Sequence, residues 1–249
     1  SLRRRQRQMC IRDRFHPHNL LEQQPPEVRR AWHRAGSYDA FIAVSEFLLR
    51  REANRMARGA RRRVVIRNGV DTERFRPGRG RDGRTILFVG ILKEKKGFPH
   101  VLRAVEELRR RMPEVRLLVA GKAPRGLRLP AWVSYLGFVP PMRMQEVYAQ
   151  ADVLVAPSVW EDPCPNVVLE AQAAGLPVVT TPRGGIPELL VPGETGFLVE
   201  PEGLVDPLER LLRDRPLRER MGERARRWAV SERSLDRMVK ELEELYRGL

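Results

Sequence analysis

A chain of 249 residues with 42% hydrophobic residues, 20 Pro and 19 Gly can build one sizeable core, or one domain and part of another. It has no apolar run of about eighteen residues to span a membrane and no charged-then-apolar leader, so it reads as soluble and cytoplasmic. The net charge of +15 comes from Arg-rich stretches without interleaved aromatics, and the two cysteines, Cys10 and Cys164, lack metal-ligand spacing, so nucleic-acid binding, a disulfide framework and a thiolate metal site are set aside.

In chain order, residues 1–14 (SLRRRQRQMCIRDR) carry six Arg, show no periodic apolar face and resemble a translated sequencing adapter; they read as a non-native tail. Residues 15–63 are too few for a second full domain and read as the remnant of one. Within them Tyr38–Val44 is a short apolar run ending at Ser45, which can cap the helix that follows. Strands are expected at 64–67 and 85–91, the latter apolar on both faces like a buried parallel strand. Residues 97–111 then repeat apolar positions at helical spacing: Phe98, Val101, Leu102, Val105 and Leu108. The alternation continues as strands 115–120 and 133–136, helix 141–150, strand 152–156, helix 166–174 and strand 177–181. After 196–199 the remainder is helical, at 203–213, 216–228 and 231–247. This order predicts an α/β fold with a Rossmann-like, doubly wound parallel sheet over residues 64–230 and a C-terminal helix over 231–249.

Ligands of such sheets gather outside the carboxyl ends of the strands, and three of those ends are unusual here. In the first, GILKEKKG at 90–97, Gly90 lets a phosphate approach the backbone and Lys96 supplies a point charge; a solvated basic loop is the alternative. In the second, SVWEDPCPNVVLE at 158–170, two prolines stiffen the loop. Asn166 suits an N-cap, and the amides of Val167, Val168 and Leu169 would then face an anion. Asp162 in the loop and Glu170 one turn into the helix can look into the same crevice. Glu170 lies between Val-Val-Leu and Ala-Gln-Ala-Ala-Gly, so its helix should be largely buried, where an acid wants a partner or a ligand. The third, TTPRGGIPE at 180–188, has paired glycines that allow close backbone approach.

As a set these segments resemble the C-terminal, donor-binding half of a family 4 retaining glycosyltransferase of the GT-B fold, truncated at its N-terminus. The matching pieces are VSEF at 44–47, RNGVDTERF at 67–75, ILFVGILKEKKG at 86–97, LGFV at 136–139, ADVLVAPSVWEDPCPNVVLEAQAAGLPVVTT at 151–181, RGGIPEL at 183–189 and GETGFLVEP at 193–201. The resemblance implies a hexosyltransferase of glycan biosynthesis, using a nucleotide-diphosphate-sugar donor. It further implies that Lys96 holds the diphosphate, Glu170 the ribose hydroxyls and Asp162 hydroxyls of the transferred sugar. The helix start at Asn166, Val167 and Val168 would take the distal phosphate, and the backbone of Gly137, Phe138 and Val139 would meet the nucleobase. Transfer with retention would need neither a metal ion nor another cofactor, since Lys and helix amides offset the leaving group's charge. The acceptor would be a glycan, lipid or small molecule, with peripheral contact at the inner face of a membrane allowed.

The missing half of such an enzyme would bind the acceptor and supply a His; His18, next to Asn19, stands about where that segment would fall, against the plainer reading of an exposed loop histidine. Two positions depart from the family. Ile91 replaces the usual basic residue after the strand-end glycine, leaving Lys93 or Lys95 as substitutes, and Asp162-Pro163-Cys164-Pro165 replaces a glycine-rich donor loop. Cys164 then reads as a small buried filler rather than a nucleophile. The alternatives carried with this reading are a nucleotide-sugar binding module without transfer activity and a nucleotide-sugar 2-epimerase.

Overall fold

The computed structural model describes residues 38–54 and 58–249. Two parallel sheets form. The smaller pairs β1 (Tyr38–Ala43) with β2 (Ala60–Val65) around helix α1 (Glu46–Glu52). Ser45 caps α1 as its sequence position suggests, its hydroxyl accepting from the Leu48 amide. The larger sheet has six strands in the order β5-β4-β3-β6-β7-β8, every pairing parallel. Its strands are β3 (Thr85–Val89), β4 (Arg116–Ala120), β5 (Val133–Tyr135), β6 (Val153–Ala156), β7 (Val178–Thr180) and β8 (Gly196–Leu198).

Side-chain alternation along these strands splits the core into two layers. Ile86, Phe88, Leu117, Val119, Val153, Val155 and Val179 face α2 (Phe98–Arg111) and α5 (Val205–Arg213). Their neighbours Leu87, Leu118, Leu154 and Val178 face the layer holding α3 (Met144–Ala149) and α4 (Asn166–Ala173). A one-residue slip would exchange these sets, so burial on both faces fixes the register. The doubly wound α/β class expected from the sequence is the observed one. The α2 stripe is buried at Phe98, Val101, Val105 and Leu108, with Leu102 half-buried at its edge.

Two local expectations move. The strand expected at 64–67 is β2, residues 60–65, and its exposed Arg61, Arg62 and Arg63 gave no apolar signal. The helices expected at 216–228 and 231–247 are α6 (Arg215–Arg233) and α7 (Leu235–Arg247). No Gly or Pro interrupts residues 223–233, so α6 runs on until Ser234, which accepts from the Arg237 amide to start α7. Residue 64 therefore falls inside β2 and residue 230 inside α6. Among the described residues, no helix is long and apolar enough to cross a membrane.

Candidate functional site

β4 and β5 lie on one side of β3, and β6, β7 and β8 on the other, so the winding reverses between β3 and β6. The carboxyl ends of two such strands flank a crevice. Here it is a cavity of about 190 Å³ lined by Gly90, Lys96, Ser158, Asp162, Asn166 and Val167. These residues come from the first two of the three segments that the sequence singles out, and the third holds them in place.

The lysine loop leaves β3 at Gly90, whose amide donates to the Ala120 carbonyl, and closes in a short 3-10 turn, Glu94–Lys96. Gly97 ends the turn at φ 73°, and a Cβ there would lie 1.8 Å from the Pro157 carbonyl oxygen. Only glycine lets the loop settle onto the end of β6. That contact brings Lys96 Nζ to 2.7 Å from Asp162 Oδ2, a charge-assisted hydrogen bond at the cavity wall.

Asp162 is 8% exposed and held at three points. Its amide donates to the Trp160 carbonyl, its Oδ1 accepts from the Cys164 amide at 3.2 Å, and its carbonyl accepts from the Gly185 amide at 2.9 Å. A Cβ on Gly185 would sit 2.0 Å from the Pro163 carbonyl oxygen, so the paired glycines of RGGIPE clamp the Asp162 loop. Three residues on, Glu188 reaches the smaller sheet: its carboxylate accepts from the Glu46 and Phe47 amides at 2.9 and 2.8 Å, at the start of α1.

The start of α4 differs from expectation. Pro165 occupies the N-cap position and Asn166 is the first helical residue, so Asn166 does not cap. Its Oδ1 instead accepts from Asn68 Nδ2 at 2.9 Å, tying the RNG motif to the cavity. Val168 is fully buried and its amide donates to the Pro165 carbonyl at 3.1 Å, so this expected phosphate contact is withdrawn. Pro165, at φ −70° and ψ 110°, takes the non-helical cap position, and its carbonyl, like that of any N-cap residue, is the first helical acceptor.

Glu170 does not line the cavity shared by Lys96 and Asp162. It lies one turn further along α4, half-buried, accepting from the Tyr148 hydroxyl at 2.7 Å. Burial raises its pKa, opposed by the Tyr148 hydrogen bond and by the positive charge of Arg74. Tyr148 is wholly buried and packs edge-on against Phe75 with ring centroids 5.6 Å apart.

Gly137, Phe138 and Val139 follow β5, which is separated from β6 by β4 and β3. The Gly137 carbonyl accepts from the Gly121 amide, Val139 packs on the core, and Phe138 is 63% exposed beneath Lys122 Nζ, 5.4 Å from its ring centre. Ile91 is exposed, and Lys95 lies over the Trp160 ring at 5.4 Å. Cys164 is buried, and burial together with Asp162 pushes its thiol up to about 12, which suits a filler. His18 lies outside the described residues. Among those described, no group of three or more His, Cys, Asp or Glu could hold a metal ion. Sequence reasoning missed Asn68, Lys122, Tyr148 and Glu188; three of them sit inside or beside quoted motifs, but their partners lie 22 to 142 residues away.

The sequence model described as "Glycosyl transferases group 1" matches residues 69–228, from the RNG motif into α6. The chain belongs to this glycosyltransferase family. It is 27% identical over 241 residues to spore coat protein SA of Bacillus subtilis, covering 82% of this chain and 64% of that protein. To the D-inositol 3-phosphate glycosyltransferase of Corynebacterium diphtheriae it is 35% identical over 190 residues, covering 64% of this chain and 44% of the relative. In fold it is similar to HepE of Anabaena, solved in complex with UDP and glucose, with TM-score 0.77 and 21% identity over 93% of this chain and 70% of that one. This chain thus spans about half to two-thirds of the length of these curated relatives.

Proposed function

We propose that this glycosyltransferase chain carries the donor half of a retaining hexosyltransferase that uses a nucleotide-diphosphate-sugar. The observation that supports this best is the convergence of Lys96, Asp162 and the first turn of α4 on one cavity at the strand switch point. Lys96 then holds the diphosphate, with the amides of Asn166 and Val167 nearby. Asp162 addresses hydroxyls of the transferred sugar, Glu170 the ribose and the 137–139 backbone the nucleobase. During transfer the bond from the anomeric carbon to the diphosphate breaks and its electron pair leaves with the phosphate oxygen, while the acceptor oxygen bonds to that carbon and its hydroxyl proton passes to the leaving phosphate. Lys96 and the helix start stabilise the charge that develops on the leaving group, so metal-independent chemistry is part of the proposal.

Calorimetry with UDP, GDP and ADP in the presence of chelator tests the site. At least one should bind, and Lys96→Ala should weaken it about tenfold or more, equivalent to about 1.4 kcal/mol. No heat from any of the three with folded protein counts against the assignment. Product anomeric configuration, read by NMR with the whole enzyme, tests retention.

A second reading is a nucleotide-sugar binding module without transfer activity, and Ile91, exposed where the resembled family carries a basic residue, favours it. GT-B transfer needs two domains closed over the reactants to exclude water and orient the attacking hydroxyl. A labelled-sugar assay on the chain as it stands separates the readings: turnover supports the enzyme, and nucleotide binding without turnover the module.

A further inference from the structure

The amino ends of the same strands open onto a second cavity, of about 550 Å³, on the far side of the sheet from the Lys96 crevice. Arg81 approaches it just before β3, Asp152 just before β6 and Gly175 just before β7, while α6 supplies one wall. A five-residue strand such as β3, about 17 Å long, separates the two cavities, which share no lining residue.

Its lining carries five arginines against three carboxylates. Three of the arginines have acidic partners: Arg215 with Glu219 at 2.7 Å, Arg218 with Asp152 at 3.7 Å and Arg227 with Glu223 at 3.9 Å. Arg81 and Arg226 are anchored differently, by main-chain carbonyls at the end of α4. Arg81 donates to Ala174 and Gly175 at 2.6 and 2.7 Å, and Arg226 to Ala173 at 2.6 Å. A carbonyl orients a guanidinium but does not neutralise it. Burial lowers both arginine pKa values; the charge of Asp152 opposes this at Arg81 and that of Glu73 at Arg226, while Arg218 and Arg76 respectively add to it. Arg81 Nε is in addition buried without a hydrogen-bond partner. A guanidinium does not deprotonate to relieve this cost, and an anion in the cavity would add to the compensation that Asp152 and Glu73 supply.

We propose that this cavity is an anion site for a sugar-sized phosphate monoester. The surplus of two positive charges matches a phosphate dianion, and the planar guanidinium forks suit its oxygens. The volume falls within the range of about 300–1,000 Å³ common to small-molecule pockets. Gly80 lines the wall with nothing within 4 Å of where a Cβ would stand, leaving its backbone open to close approach.

The test uses Lys96→Ala protein, so that phosphate binding in the other cavity does not enter. Ribose 5-phosphate is titrated by calorimetry at low salt, with ribose as the uncharged control. The expected result is saturable binding of the phosphate and none of ribose. Arg226→Gln should weaken it, but that change also removes a helix-end hydrogen bond. The deciding variant is therefore Arg215→Gln with Arg227→Gln, which brings the lining to neutrality and leaves the carbonyl contacts of Arg81 and Arg226 intact. Affinity should fall at least about tenfold with the circular dichroism spectrum unchanged. Absence of binding, or an unchanged affinity in the double variant, overturns the proposal.

Discussion

The Tyr148 hydroxyl meets Glu170 Oε2 at 2.7 Å from a ring that is itself fully buried, so the carboxylate is oriented from inside the core. Removing that hydroxyl leaves the packing against Phe75 and takes away one hydrogen bond to a charged acceptor. Tyr148→Phe should cost about 1.5–3 kcal/mol of stability, read by urea unfolding. Nucleoside diphosphate affinity should fall with it if Glu170 binds ribose; an unchanged affinity would separate Tyr148 from ligand recognition.

Glu170 itself gives a pH prediction with a definite sign. Burial raises its pKa in the folded protein, so the folded state holds the proton more tightly than the unfolded chain does. Its contribution is favourable in acid, below the unfolded value, and is lost as pH rises through the folded value. Glu170→Gln should therefore raise the melting temperature of unliganded protein at neutral pH, with the gain vanishing in acid. The same change should weaken nucleotide binding, and Glu170→Ala should cost about 1.5–3 kcal/mol of it. A variant that melts lower at neutral pH and binds normally would make Glu170 structural.

Asp152 carries a purely structural prediction. It is 1% exposed and accepts from the Gly83, Arg84 and Thr85 amides at 2.9 to 3.0 Å, with Arg218 at 3.7 Å. Asp152→Ala orphans three donors and leaves Arg218 buried without its carboxylate. A loss of about 3–5 kcal/mol is expected, seen as a lower urea midpoint with little change in slope.

Gly185→Ala tests the clamp on the Asp162 loop. Its φ of −88° suits any residue, so the cost is steric and comes from the Pro163 carbonyl 2.0 Å from the new Cβ. The variant should fold with a lower melting temperature and lose nucleotide affinity, because the Asp162 loop must move. Wild-type affinity in a folded variant would show that the loop position does not matter.

α7 exposes Leu235 and Val239, each by about two-fifths, while Leu245 is buried. An uncovered apolar stripe favours self-association. Sedimentation over a range of concentrations should show reversible dimers, and Leu235→Lys with Val239→Lys should abolish them; a monomer at all concentrations would mean the stripe is inert.

The order of strands and helices was legible because β3, β4, β6 and β7 are short, largely apolar runs, a pattern that survives without any partner in view. Of β2 only the apolar end was, since its three arginines face solvent and only the pairing with β1 shows that the strand starts at Ala60. Lys96, Asp162 and Asn166 stood out by type and loop context, and the fold brings them together. What each touches was invisible: Asn166 looked like a cap and became a partner of Asn68, and Val168 looked like an open amide and spends it on Pro165. Such pairings depend on how loops cross, which no local window records.

Glu188 binds the first amides of α1 with one end of a short segment whose other end, Gly185, grips the carbonyl of Asp162. The segment acts as a strut. Gly185 and Glu188 lie within one 3-10 turn of each other, so few bonds separate the Asp162 loop from the start of α1. The smaller sheet and the cavity wall are thus joined through this one short segment.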